Sequence, residues 1–271
     1  MFRSTAYRHS SEYPILFVTL LLTLGVVLLT AMLTQCLSLL LILLMFAFTI
    51  WSTNAMQKTL MAKAFLVHPQ TDPRLASIVE TCHKRLKPGP LRVYIVRQQM
   101  VNAYTFGLSD PKSVVVCEPM LRVMSPGELS FVIGHEMGHV ALGHTWLNTL
   151  VGGLAGSPSP YGIGYLVYLI FQWYSRACEL SCDRAGLLAC GNLNQAISAL
   201  VRLSAPNAKT AQEFDTALAR VDAEDDTLVG QLQESFQSHP LIIKRINALK
   251  AYAASPEYRQ LQQAMDRNLA A

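Results

Sequence analysis

Hydrophobic and polar positions divide this chain into two unlike parts. No charged side chain occurs between Glu12 and Lys58. Pro14 to Leu33 is apolar apart from threonines and one glycine, about 20 residues and long enough for a hydrocarbon core of about 30 Å. Leu37 to Trp51 is nearly as apolar and extends through the uncharged Ser52–Gln57, with Thr34-Gln35-Cys36 between the two runs reading as a tight turn. The pattern predicts a transmembrane helical hairpin over 14–56. It is too long for a cleaved signal peptide. A single long helix stays open as the alternative, because the turn has no strong breaker.

Beyond the hairpin the pattern becomes that of a globular domain. Thr71/Asp72-Pro73 caps a helix to about Leu86, stopped before Pro88-Gly89-Pro90. Leu91–Val96, Val101–Phe106 and Ser113–Cys117 read as short strands of a small sheet, with Val101–Phe106 at its edge. Ser125-Pro126-Gly127-Glu128 has the form of a capping box with proline in the first helical position. Leu129, Val132, Ile133, Met137, Val140 and Ala141 follow at helical spacing. Trp146 to Tyr174 is again uncharged, broken by Gly152-Gly153, Gly156 and Ser157-Pro158-Ser159-Pro160. In it, 147–154 covers a cleft or dips into the membrane interface, and Tyr161–Trp173 begins a helix that continues through Glu179. Further helices are expected over Gln195–Leu203, Ala211–Val221 and Leu241–Tyr252, and the tail from Pro256 is either helical or disordered. Asp222–Asp226 reads as a solvated acidic turn or helix start, without the spacing of an EF-hand. The fold class is therefore α+β, mainly α-helical. It comprises an amino-terminal segment (1–13), a membrane hairpin (14–56) and one domain (57–271) large enough to bury a substantial core.

Charge adds orientation. Arg3 and Arg8 precede the hairpin, Lys58 and Lys63 follow it, and the turn has no cation, so both ends and the domain are expected in the cytoplasm, in a bacterium on the inner membrane. The net charge of +4 suits a neighbouring anionic lipid surface. With no basic run or aromatic-basic motif, nucleic acid is not an expected partner. The six cysteines, Cys36, Cys82, Cys117, Cys178, Cys182 and Cys190, form no C-x-x-C pair. In a reducing compartment they are packing residues rather than disulfides.

Candidate chemistry sits on the capped helix. His135-Glu136-Met137-Gly138-His139 places two imidazoles one turn apart on one helical face, where they can share a metal ion, with a carboxylate beside the first. Two incidental buried histidines are the bland alternative. Downstream, Glu179 and Asp183 are again one turn apart. Glu179 can supply a third zinc ligand, and Asp183 can accept the free ring N–H of a ligating histidine. The competing reading puts both carboxylates in surface pairs with Arg176 and Arg184. A metzincin would need its third histidine at 145, which is Thr145. His144, one residue off, reads as a polar residue at the helix end, where a cation suits the helix dipole.

The segment HEMGH, followed by ELSCD within SRACELSCDRAG, resembles the M48 family of zinc metallopeptidases, which includes bacterial HtpX and the CAAX-prenyl endopeptidases. Three further segments fit that family: Val101-Asn102-Ala103-Tyr104-Thr105-Phe106-Gly107, Thr71-Asp72-Pro73-Arg74-Leu75, and Ser238-His239-Pro240 followed by Lys244-Arg245-Ile246-Asn247-Ala248-Leu249. The resemblance spans roughly residues 57 to 251. It implies a gluzincin-type domain holding one Zn2+ per chain through His135, His139 and Glu179. Glu136 would be the general base, and His239 an oxyanion donor or removable fourth ligand. Arg245 would anchor its segment near Glu179 or Asp183, and Asn102, Ala103 and Tyr104 would receive an extended peptide by strand addition. Polypeptides are the implied substrates, with a quality-control role at the bilayer and possible association with a membrane-protein partner or a second copy. A dedicated processing protease fits less well, because one hairpin cannot form a large intramembrane chamber. HtpX-like proteins carry a longer, membrane-spanning interval where this chain has 147–173. From another class, a zinc-binding scaffold without turnover is the rival, against which intact Glu136 argues.

Overall fold

The computed structural model describes residues 4–33, 37–155, 163–204 and 242–270. After a 3-10 turn at Ser4–Tyr7 come helices α1 (Glu12–Leu33) and α2 (Leu37–Met61). α1 is apolar on every side. Phe17, Leu20, Leu21, Leu24 and Leu28 are exposed, and only 11% of its most apolar stretch is buried, so its hydrophobicity is not consumed by a protein core. Among the described residues it is the one helix long and apolar enough to cross a bilayer. α2 packs beside it, while 34–36, where the hairpin turn is expected, lies outside the described residues.

Four strands follow: β1 (Phe65–Leu66), β2 (Leu91–Val96), β3 (Ala103–Phe106) and β4 (Lys112–Cys117). They form one mixed sheet in the order β1-β2-β4-β3. β2 and β4 run parallel, and the outer strands pair antiparallel. The period-2 alternation of strands sorts the side chains. Val93, Val114 and Val116 join the main core, while Val96, Val115 and Cys117 pack on the other face against Leu60, Met61 and Phe106. The expected strand set holds, with β3 at an edge. Val101 and Asn102 precede β3 rather than belonging to it, and β4 alone is its neighbour. The two-residue β1 was not expected, having too few positions to show alternation.

Helices α3 (Pro73–Leu86), α4 (Glu118–Val123), α5 (Pro126–Ala141), α6 (His144–Ala155), α7 (Ile163–Cys190), α8 (Leu193–Ser204), α9 (Ile242–Ala254) and α10 (Pro256–Ala270) complete the described chain. α3 starts on Asp72, whose carboxylate accepts from Leu75 N at 2.9 Å. α5 starts on the expected capping box, with Ser125 N donating to Glu128 Oε2 at 2.6 Å and Glu128 N to Ser125 Oγ at 3.3 Å. The tail after Pro256 is helical. The expected helix Ala211–Val221, the acidic Asp222–Asp226, His239 and the Ser157-Pro158-Ser159-Pro160 break all lie outside the described residues.

α5 and α7 form the centre of the domain. Their close approach depends on missing side chains. A Cβ on Gly134 would sit 2.3 Å from Ala189 Cβ, and one on Gly138 would sit 2.8 Å from Ala185 Cβ. The amino-terminal segment also enters this core. Tyr7 is fully buried, in a cluster with Ile133, Met137, Leu142 and Cys182.

Candidate metal centre and cleft

The α5–α7 packing brings the expected ligands together. His135 and His139 lie one turn apart on α5 with ring centroids 5.1 Å apart. Across the interface on α7, Glu179 places Oε2 3.5 Å from His135 Nε2 and Oε1 3.5 Å from His139 Nε2. All three side chains are buried. Zinc bonds of about 2.0–2.2 Å in a tetrahedron set ligand atoms about 3.3–3.5 Å apart, so these separations fit the ion. Two imidazoles and one carboxylate are also the donor set of a catalytic zinc that keeps one open position.

The surroundings orient the ligands. His135 Nδ1 lies 3.0 Å from Asp183 Oδ1, which keeps a proton on Nδ1 and turns Nε2 to Glu179's side of the site. Arg245 grips Asp183 bidentately, Nε to Oδ2 at 2.8 Å and Nη2 to Oδ1 at 2.6 Å. Its Nη1 reaches Glu179 Oε2 at 3.1 Å. Burial would raise the carboxyl pKa of Asp183 and Glu179. The Arg245 guanidinium and the hydrogen bonds outweigh it and hold both below the usual carboxylate range. Burial would lower His135, yet its hydrogen bonds to Asp183 and Glu179 lift it to about 10. The surface-pair reading of Glu179 and Asp183 fails on burial, with 9% and 2% exposure.

Glu136 faces a cleft of about 450 Å³ that His135, His139 and Glu179 also line. Its Oε2 accepts from Thr105 Oγ1 at 2.5 Å. Asn102, Ala103 and Tyr104 line one wall. Phe131, Val132, Leu200, Leu203 and Ile242 add apolar lining. Cys117 N donates to Asn102 O at 3.0 Å, so strand alternation turns the backbone groups of Ala103 and Thr105 toward the free edge of β3. Ala103 N is meanwhile capped by Asn102 Oδ1 at 2.9 Å. In α6, Thr145 and Asn148 border the same cleft, in keeping with a cover over it.

Three residues have places the sequence reading did not give them. In the sequence Thr105 is marked only as a strand residue. His144 opens α6 instead of ending α5, and it is fully buried. Burial, then His139 and Arg8, lower its pKa well below the usual value, so it is a neutral ring and not a cation on a helix dipole. Its Nδ1 lies 3.3 Å from His139 Nδ1, and its Nε2 lies 2.9 Å from Glu12 Oε1. Glu12, read from sequence as a flanking charge, is fully buried. The only sequence signal for this pair was a lone acid and a lone histidine bordering long uncharged stretches. Cys82, Cys117, Cys178, Cys182 and Cys190 are free thiols.

A family model for Peptidase family M48 matches residues 69–253. The plastoglobule-localized metallopeptidase 48, chloroplastic, of Arabidopsis thaliana is 28% identical over 188 residues, covering 62% of this chain and 54% of that protein. A protease HtpX homolog of Syntrophotalea carbinolica is 29% identical over 213 residues, 66% of this chain and 75% of its own length. The protease HtpX of a Psychrobacter species is 29% identical over 220 residues, with 66% and 72% covered. The chain thus spans about half of the chloroplast protein and about three quarters of the bacterial ones.

Proposed function

The chain belongs to peptidase family M48 and carries that family's metalloendopeptidase core, and from that premise we propose that it is a membrane-anchored zinc endopeptidase. It cuts extended segments of membrane or misfolded polypeptides, a protein quality-control activity. The observation that carries this reading is the convergence of His135, His139 and Glu179 at separations that suit zinc, with Glu136 beside them in an open cleft.

Zinc bound by these three side chains supplies a Lewis acid and lowers the pKa of a coordinated water. The protein's own residues do the rest. Glu136 takes the proton of the attacking water and passes it to the leaving amine. Asp183 fixes the His135 tautomer, and Arg245 holds Asp183 and Glu179 in register. The free edge of β3 at Ala103, flanked by Asn102 and Tyr104 in the cleft wall, receives the substrate backbone, which gives affinity with little sequence preference. His239 donates to the developing oxyanion or closes the site at rest.

Residues 14–56 form the membrane hairpin, with 1–13 and the protease domain 57–271 on the cytoplasmic face of the inner membrane of a bacterium. The cation distribution and the exposed apolar surface of α1 support this placement. A membrane-protein partner or a second copy would present substrates. Casein cleavage by the full chain in detergent tests the reading against its Glu136→Gln variant. Cleavage should fall about 10²- to 10⁴-fold in the variant with zinc content unchanged. Equal inertness of both forms with zinc bound would leave a scaffold instead.

A further inference from the structure

We infer that Glu12 and His144 are positioning residues of the metal centre, so that the first turn of the membrane helix sets the orientation of the ligand His139. The inference rests on the proposed reading that His139 holds a metal ion. His139 Nε2 is on the side of Glu179, where the proposed ion takes its lone pair, so the ligating neutral ring carries its hydrogen on Nδ1. That nitrogen is 3.3 Å from His144 Nδ1, which must therefore accept. The hydrogen of His144 is then on Nε2, 2.9 Å from Glu12 Oε1. The other tautomer of His144 would set N–H against N–H on one side and a lone pair against a carboxylate on the other. Cys182 Sγ, 3.5 Å from His144 Nδ1, adds a weak donor and leaves the assignment unchanged.

Glu12 is itself fixed by the domain rather than by lipid. Its second oxygen accepts from Ser181 Oγ, and Arg8 pairs with its carboxylate. His9 N donates to Ser181 Oγ at 2.9 Å, and Arg8 Nη2 donates to Leu142 O at 2.8 Å. Each ligand histidine is thus backed by a carboxylate–arginine pair. Asp183 and Arg245 serve His135 directly, while Glu12 and Arg8 serve His139 through an interposed imidazole. Glu12, His144 and Cys178 also lie close enough to share a second cation, but the Arg8 guanidinium already neutralises Glu12.

The test is zinc affinity of the full chain in detergent micelles, by competition with a chromophoric chelator, with the melting temperature of the chelated protein measured alongside. Glu12→Gln and His144→Phe should weaken zinc about 10- to 100-fold, as loss of a partner behind a metal ligand does, while the exposed-site control Glu80→Gln binds as wild type. Glu12→Gln also loses its pairing with Arg8 and melts lower without metal, so its zinc affinity is read at a temperature where the chelated variant is still folded. Wild-type affinity in both variants, or two zinc ions per chain, overturns the inference. Should a variant fail to fold, ¹⁵N-histidine spectra of the zinc-loaded wild type decide. A hydrogen on Nδ1 of His139 and on Nε2 of His144 is expected, and Nδ1–H at His144 overturns it. A wild-type chain that binds no zinc refutes the metalloprotease reading itself, a result distinct from variants that bind zinc normally.

Discussion

Thr105 Oγ1 lies 2.5 Å from Glu136 Oε2, so a hydroxyl on the edge strand of the cleft donates to the carboxylate of the candidate base. A hydrogen bond to a charged group contributes about 1.5–3 kcal/mol. Thr105→Val keeps the shape and loses the donor. It should lower kcat/KM about 10- to 100-fold with zinc content intact, while Thr105→Ser retains most activity. Peptide-cleavage kinetics on the two variants check this.

Arg245 lies between Asp183 and Glu179. Arg245→Leu takes the guanidinium from two buried carboxylates and leaves His135 as the cation against both, a loss of about 3–5 kcal/mol. Arg245→Lys keeps the charge but not the bidentate fork and should fall between. The unfolding midpoint of each, measured with chelator present, orders the three proteins.

Gly134 should reject even a methyl group. Alanine is the better helix former by about 1 kcal/mol, but its Cβ would lie 2.3 Å from Ala189 Cβ. Gly134→Ala should therefore destabilise by about 1–3 kcal/mol. Ala189→Gly removes the opposing atom and should recover part of that loss in the double variant, a non-additivity visible in a double-mutant cycle of melting temperatures.

Acid should weaken the start of α5. Glu128 accepts from Ser125 N, Ser198 Oγ and Arg202 Nε. Burial would raise its pKa, yet these bonds hold it below the ordinary 4.5. A folded pKa below the unfolded one gives stability that is present above the unfolded value and lost as pH falls through the folded one. The melting-temperature gap between wild type and Glu128→Gln should be widest near neutral pH, narrow below the ordinary carboxyl value and close as pH falls through the depressed folded one.

Metal binding should release a proton. Without a cation His135 titrates near 10, so it is protonated at neutral pH and must lose that proton to become a ligand. Calorimetry in buffers of different ionisation enthalpy should show about one proton released per zinc near neutral pH. A His135-independent binding mode would show none.

Much of the architecture was legible because it is local. The cap at Ser125, the stop at Pro88-Gly89-Pro90 and the valine-rich strands each announce themselves within a few residues. The candidate ligand set was legible because helical spacing alone puts His135 with His139 and Glu179 with Asp183 on single faces. That the two faces meet depends on Gly134, Gly138 and Gly186, whose packing role no periodicity shows. The expectation for His144 failed because its environment is made at long range. Glu12, its partner, is 132 positions away, and only the tertiary fold turns an end-of-helix polar residue into a buried bridge. Thr105 was invisible for the same reason, since its alternation in β3 does not say which helix lies opposite.

The amino-terminal strap has a consequence for how the enzyme can be handled by a cell or by an experimenter. Clipping the polypeptide after Glu12 would withdraw Tyr7 from the hydrophobic interior and strip Ser181 and His144 of their acidic partner. The boundary at residue 57 is a boundary of composition only. Shedding the water-soluble part from its anchor would therefore yield a damaged remnant, not a freely diffusing protease.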